Sequence, residues 1–329
     1  MLRPTRHLLL PISLALALLA GACVPLATPE PPTSAPAASV PATPTAIPVS
    51  QAITVTDGLG REVTLEAPAT RIVSLAPSNT EALFALDAGD ALIGRDDFSD
   101  YPAEALDVPS IGSLYPSVNA ETIVALQPDL VLAAGITSPE DVERLAELGL
   151  TVYSTRVNTG LDEIYTDLLD IGTLIGRSGA AEALVEDLKA RVEAVASKTS
   201  ALADKPVVFY EIDATEPSKP WTPGPNSFIG QLIGMAGGVN AGDIATDQYA
   251  QLSLEQLVAQ DPAIIVLGSA TYGGQTPELV AARAGWDTIA AVESGAVYTF
   301  DDNLVSRPGP RVVDGLEQLA ALIHPELFE

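Results

Sequence analysis

Side chains able to do chemistry are few and scattered along this chain. Histidine occurs twice, as His7 near the start and His324 near the end, which argues against a transition-metal centre built on imidazole. Asp96, Asp97 and Asp100 stand close enough to suggest paired carboxylates or ligands for a hard cation. They lack the spaced loop of a calcium site, and a solvated acidic turn is the simpler reading. No phosphate loop of the form G-x-x-x-x-G-K-[ST] occurs, no G-x-S-x-G elbow and no H-E-x-x-H pair. Gly58-Leu59-Gly60 lacks the third glycine of a dinucleotide loop. Neither catalysis, a resident cofactor nor a metal is expected, and an enzyme using the Asp96 and Asp97 carboxylates is the one catalytic alternative these residues leave.

The formal net charge is −27, spread along the chain without a lysine or arginine cluster to oppose it. Such a body repels nucleic acid, and it disfavours anionic ligands unless a local pocket reverses the field.

The elements that must position any binding groups alternate in type. Residues 53–65 read as a hairpin around Asp57-Gly58-Leu59-Gly60. Short apolar runs follow at 72–76, 130–134, 151–154, 207–212, 264–267 and 297–300, with helical patterns at 79–86, 121–126, 139–148 and 255–259. That alternation predicts βα units and parallel sheets. Residues 179–202 read as one long helix. Ala181, Leu184, Leu188, Val192 and Val195 form a single apolar stripe, and Lys205-Pro206 closes the segment. At 1.5 Å per residue it would run roughly 35 Å.

Two stretches echo one another. Residues 119–133 read NAETIVALQPDLVLA and residues 253–267 read SLEQLVAQDPAIIVL. Each opens with a polar cap, closes its short helix near a proline and continues into a buried strand. Ser253 and Gln256 have the spacing of a capping box. The copies lie on opposite sides of the long helix, which predicts two similar α/β lobes flanking a linker.

The first residues predict export. Arg3, Arg6 and His7 precede an apolar run over 8–19, then Ala20-Gly21-Ala22 and Cys23, the order of a secretory signal peptide. Cys23 is the sole cysteine, so an internal disulfide is excluded. Its setting resembles a lipobox, with Ala20 where leucine is usual, and predicts acylation of the thiol. Acyl chains would anchor the protein at about 0.8 kcal/mol per buried CH₂. Residues 24–50 are rich in Pro, Ala, Thr and Ser and read as an extended tether. The expected layout is a signal peptide over 1–22, lipidated Cys23 and tether over 23–50, a first lobe over 51–178, a linker helix over 179–204 and a second lobe over 205–329.

From residue 53 to 322 the chain resembles the helical-backbone class of periplasmic binding proteins, which serve ABC importers of cobalamin, ferric siderophores and haem. The resemblance is carried by RIVSLAPSNTEALFAL at 71–86, DDFSDYP at 96–102, the first echo at 119–133 and SRPGPRVVDGLEQLA at 306–320. APSNTE and the FSDYP turn are most similar to the cobalamin-binding branch. The resemblance implies a monomer of two Rossmann-like lobes with central, mainly parallel sheets. One long helix would join them, permit modest closure and leave a ligand cleft between them.

It also implies which residues line that cleft: Pro77, Phe98, Tyr115, Trp221, Tyr249 and Arg307, each expected in a loop at the end of a strand or helix. Arg307 is expected to open the last helix, either bonding the ligand or answering Asp301 or Asp302. Arg311 reads as structural. A wall position after the DLVLA strand appears as Ala134-Gly135, which suggests a roomier site. Glu121 and Glu255, one per lobe, would dock on arginines of the permease dimer, although each could equally complement a helix N-terminus. The expected function is capture of a corrinoid and its delivery to an ABC permease with its ATPase. A siderophore or haem binder and a ligand-sensing lipoprotein of the same fold are the alternatives.

Overall fold

The computed structural model describes residues 52–328, so the signal segment, Cys23 and the tether lie outside the described residues. Val49–Glu329 form one compact unit. It opens with β1 (Ile53–Thr56) and β2 (Glu62–Leu65), paired antiparallel with Thr56 opposite Glu62. The turn is held by the Asp57 carboxylate, which accepts from the Leu59 and Arg61 amides at 3.0 and 2.8 Å.

The first lobe is a parallel sheet of β3 (Ile72–Ser74), β4 (Leu92–Arg95), β5 (Leu130–Ala133) and β6 (Val152–Ser154), in spatial order β4-β3-β5-β6. Helices α1 (Pro77–Ala85), α2 (Ala120–Leu126), α3 (Pro139–Glu147) and α4 (Leu161–Leu174) connect and cover it. Burial on both faces explains why β3, β5 and β6 read as unbroken apolar runs rather than alternating ones.

The linker α5 (Ser178–Thr199) spans 22 residues, about 33 Å. It stops at Thr199, earlier than the Lys205-Pro206 boundary suggested, and the buried Thr199 hydroxyl donates to the Met235 carbonyl at 2.7 Å.

The second lobe carries β7 (Val207–Glu211), β8 (Trp221–Pro223), α6 (Phe228–Met235), β9 (Val239–Asn240), β10 (Tyr249–Gln251) and α7 (Leu254–Gln260). It continues with β11 (Ile264–Leu267), α8 (Ser269–Gly273), α9 (Pro277–Ala281), α10 (Ala290–Ser294), β12 (Val297–Thr299), α11 (Asn303–Ser306) and α12 (Val312–Ile323). Its parallel sheet has the order β12-β11-β7-β9. Taken in chain order, both sheets are arranged second, first, third, fourth, so the two lobes share a topology as well as a sequence echo.

The echo extends past its strands. The αL residues Gln127 and Asp261 end α2 and α7 one position before the prolines. Beyond β5 and β11, Ser138 and Thr276 cap α3 and α9 in the same way, each directly before a proline. The Ser253–Gln256 capping box is formed. One apolar cluster runs from Ile72, Leu83 and Tyr153 in the first lobe through Ala181, Leu188 and Val195 of α5 to Val208, Leu232 and Leu316 in the second.

Candidate functional site

In open parallel sheets a ligand site forms outside the carboxyl ends of the strands, where the strand order reverses. That point lies between β3 and β5 in the first lobe and between β7 and β11 in the second. Of the residues singled out from sequence, Pro77 directly follows the β3 edge, at the start of α1.

In the first lobe, Phe98 stands 55% exposed on the turn after β4. The turn is built by Asp96, which accepts from the Phe98 amide at 3.0 Å and from the Ser99 hydroxyl. Asp96 is therefore not a solvated acid: it is 1% exposed, and burial pushes its carboxyl above the usual range despite the Ser99 and Phe98 bonds. Asp97 and Asp100 are the surface acids of the three, and Asp97 accepts from Ser110. Pro77 is half-buried at the start of α1. The residues after it are buried framework. Asn79 donates to the Leu132 carbonyl at 3.1 Å, and Thr80 reaches Ser74 and Ser99, both at 2.9 Å. Tyr115 is 79% exposed before α2.

In the second lobe, Trp221 and Tyr249 are not in loops. They lie on β8 and β10, whose antiparallel register sets Trp221 opposite Gln251 and Tyr249 opposite Pro223. Both side chains therefore share one face of the ribbon, and both border a hollow of about 370 Å³ with Ile244, Asp247 and Gln256. Burial, and then the nearby Asp302 carboxylate, push the Tyr249 phenol up. A larger hollow of about 560 Å³ lies between α5 and α12, around Arg191 and Phe328.

Arg307 does not open the last helix. It sits between α11 and α12 and is 7% exposed. Its partner is neither Asp301 nor Asp302 but Asp100, 207 residues away on the first-lobe turn, at 2.6 Å. It also donates to the Tyr272 hydroxyl at 3.2 Å. Partial burial works to raise the Asp100 pKa, and the Arg307 bond and charge outweigh it and hold the carboxyl low. Arg311, at the cap of α12, pairs with Glu81 and covers the Tyr101 ring at 3.7 Å. Between these arginines Gly309 runs so close to α1 that a Cβ there would meet the Ser78 backbone at 3.3 Å. The segment 307–311 is thus a second strap between the lobes, beside α5.

Several exposed apolar residues on these rims escaped the sequence reading. Gly135 is fixed by packing, since a Cβ would lie 2.4 Å from the Arg156 carbonyl. The next residue, Ile136, projects 86% exposed. Val157 after β6 and Tyr272 after β11 are also exposed. Ile136 and Val157 follow buried parallel strands within three residues, and Tyr272 lies in the short α8 beyond β11. Glu121 and Glu255 are exposed in the first turns of α2 and α7. Among the described residues no group of three or more His, Cys, Asp or Glu could hold a metal. No described helix is long and apolar enough to cross a membrane.

Two α/β lobes of one topology joined by a single long helix are the architecture of a solute-binding protein. The chain belongs to the periplasmic binding protein family, whose profile matches residues 72–304. It is 32% identical over 284 residues to the uncharacterized ABC transporter substrate-binding lipoprotein YvrC of Bacillus subtilis, covering 84% of this chain and 87% of that one. It is 32% identical over 278 residues to a cobalamin-binding protein of Halobacterium salinarum, covering 83% and 74%. The crystal structure of the vitamin B12 binding protein BtuF of Vibrio cholerae superposes with a TM-score of 0.67 at 26% identity, over 78% of this chain and 98% of that one. The haem-binding protein RhuT of Roseiflexus shares the fold at a TM-score of 0.70 and 24% identity, over 78% and 98%. The protein is thus an extracytoplasmic binding protein of the ABC importer type and not an enzyme.

Proposed function

We propose that this protein captures a corrinoid between its lobes and delivers it to an ABC permease. The observation that carries the reading is the exposure of four rings, Phe98 after β4, Tyr115 before α2, Trp221 on β8 at 41% and Tyr249 on β10 at 47%. Rings left in water on a cleft rim are available to cover an apolar disc, and a corrinoid is a large disc with an apolar face and amide edges. The cobalamin-binding relatives support the same ligand. Pro77 and Arg307 complete the proposed lining. Glu121 and Glu255, exposed at matching points of the two echoes, are proposed to dock on the permease dimer. Cys23 is proposed as the lipid anchor, with residues 23–50 as the tether, 51–178 and 205–329 as the lobes and 179–204 as the linker.

Calorimetric titration with cyanocobalamin tests the reading. Binding in the nanomolar to low micromolar range, weakened by Trp221→Ala and Tyr115→Ala, is the expected result. Absence of heat at high protein concentration removes the corrinoid and leaves the transport class standing.

A further inference from the structure

The arginines near the carboxyl ends of the two sheets are all committed. Arg95 donates to the carbonyls of Ala105 and Asp96, Arg156 pairs with Asp167 and Asp170, and Arg283 pairs with Glu211. Arg311 is held by Glu81 and Arg307 by Asp100. The last two pairs carry two positive and two negative charges, so the strap between the lobes is neutral. Lys219 is exposed, on the stretch whose carbonyls accept from Gln251 and Leu254 ahead of α7. The remaining exposed acids include Asp97, Asp247 and Asp301, and the chain carries a net charge of −27.

Asp100 decides this balance. Its side chain is 53% exposed, so it faces both Arg307 and water. Without its charge, Arg307 would keep Tyr272 and a 3.6 Å approach to Glu81, a carboxylate already held in two bonds by Arg311. The strap would then present one uncompensated positive charge at the junction of the lobes. We infer that Asp100 sets the charge selectivity of the cleft: by holding Arg307 it leaves no free guanidinium for an anion. The cleft accordingly takes flat neutral or cationic ligands and rejects rings that carry carboxylates. The inference rests on the inter-lobe cleft being the ligand site, and it holds whichever neutral ring occupies it. Low-dielectric walls sharpen such selection, since they focus the field of nearby charges.

The test compares ligands that share a scaffold and differ in charge. Cyanocobalamin is set against its monocarboxylic acid, in which one side-chain amide is hydrolysed, and haemin dimethyl ester against haemin. Each is titrated by calorimetry into the protein, Asp100→Asn, and Glu293→Gln as a control for overall charge. The wild type is expected to prefer the neutral member by on the order of tenfold. Asp100→Asn narrows that preference by a similar factor, and Glu293→Gln leaves it unchanged. A preference for the acid in the wild type, or a ratio that Asp100→Asn does not move, overturns the inference. If corrinoids fail to bind while the ester is preferred over haemin through Asp100, the corrinoid reading falls and the charge selection stands. If Asp100→Asn gains affinity for none of the acids, the charge selection falls.

Discussion

Arg311 and Glu81 form a two-pronged ion pair at 2.9 and 2.5 Å although 230 residues separate them. Glu81 belongs to α1 of the first lobe and Arg311 to the cap of α12 in the second. The Glu81 side chain is 1% exposed and that of Arg311 14%. The APSNTE motif is therefore framework: its acid clamps the lobes together and its amide and hydroxyl bind the floor beneath.

Removing Arg311 takes both hydrogen bonds from the buried Glu81 and leaves it only the 3.6 Å approach of Arg307. Arg311→Ala is expected to cost about 3–5 kcal/mol of stability, measured by urea denaturation. The double change Glu81→Gln with Arg311→Met should restore much of that. Equal stability of Arg311→Ala and the parent would show that the pair contributes nothing.

The Asp100–Arg307 bond predicts a pH signature with a definite sign. The Asp100 carboxyl is held below its ordinary value of 3.8. Its contribution is therefore fully present above that value and is lost as pH falls through the lowered folded one. The melting temperatures of the parent and Asp100→Asn should differ by a constant amount at neutral pH and converge as acid protonates the carboxyl. A gap that widens in acid would contradict the assignment.

Trp221 and Tyr115 are exposed, so their loss should spare the fold and affect the ligand. Each alanine variant is expected to change stability by less than about 0.5 kcal/mol while weakening cyanocobalamin by about tenfold or more. Calorimetry and thermal denaturation on the same samples separate the two effects.

Glu121→Ala combined with Glu255→Ala should leave ligand affinity intact and abolish stimulation of the partner ATPase in reconstituted membranes. Each single variant should fall between. Weakened ligand binding in the double variant would assign these residues to the cleft instead.

Two mechanical links, α5 and the 307–311 strap, restrain the hinge. X-ray scattering of free and loaded protein should show little change in dimensions, and a rotation of tens of degrees would count against the restraint.

Much of this was legible beforehand because apolar runs without alternation and capped short helices have local causes. The strands at 130–134 and 264–267 and the echo around Glu121 and Glu255 follow from spacing alone. The failures share another cause. β8 and β10 are three residues each, and long-range pairing makes Trp221 and Tyr249 strand residues: β8 pairs with β10, and Trp221 also bridges to Asp213. Helix α4, amphipathic along its length, was passed over. Arg307 looked like a neighbour of Asp301 and Asp302, but its partner comes from a loop folded against it from the other lobe. Asp96 looked solvated because its three-residue reach to Ser99 leaves no mark in composition. Contacts across the cleft leave no local pattern to read.

The apolar cluster that passes through α5 has a consequence of its own. The echo divides the molecule into two halves of common plan, yet Leu188 and Val195 share one interior with residues on both sides. Heritage and cooperativity therefore have different boundaries. Cutting the chain at the linker would separate two copies of a topology but expose half of a shared interior on each. The smallest piece that melts as a unit is the whole body, and calorimetric unfolding should show a single peak.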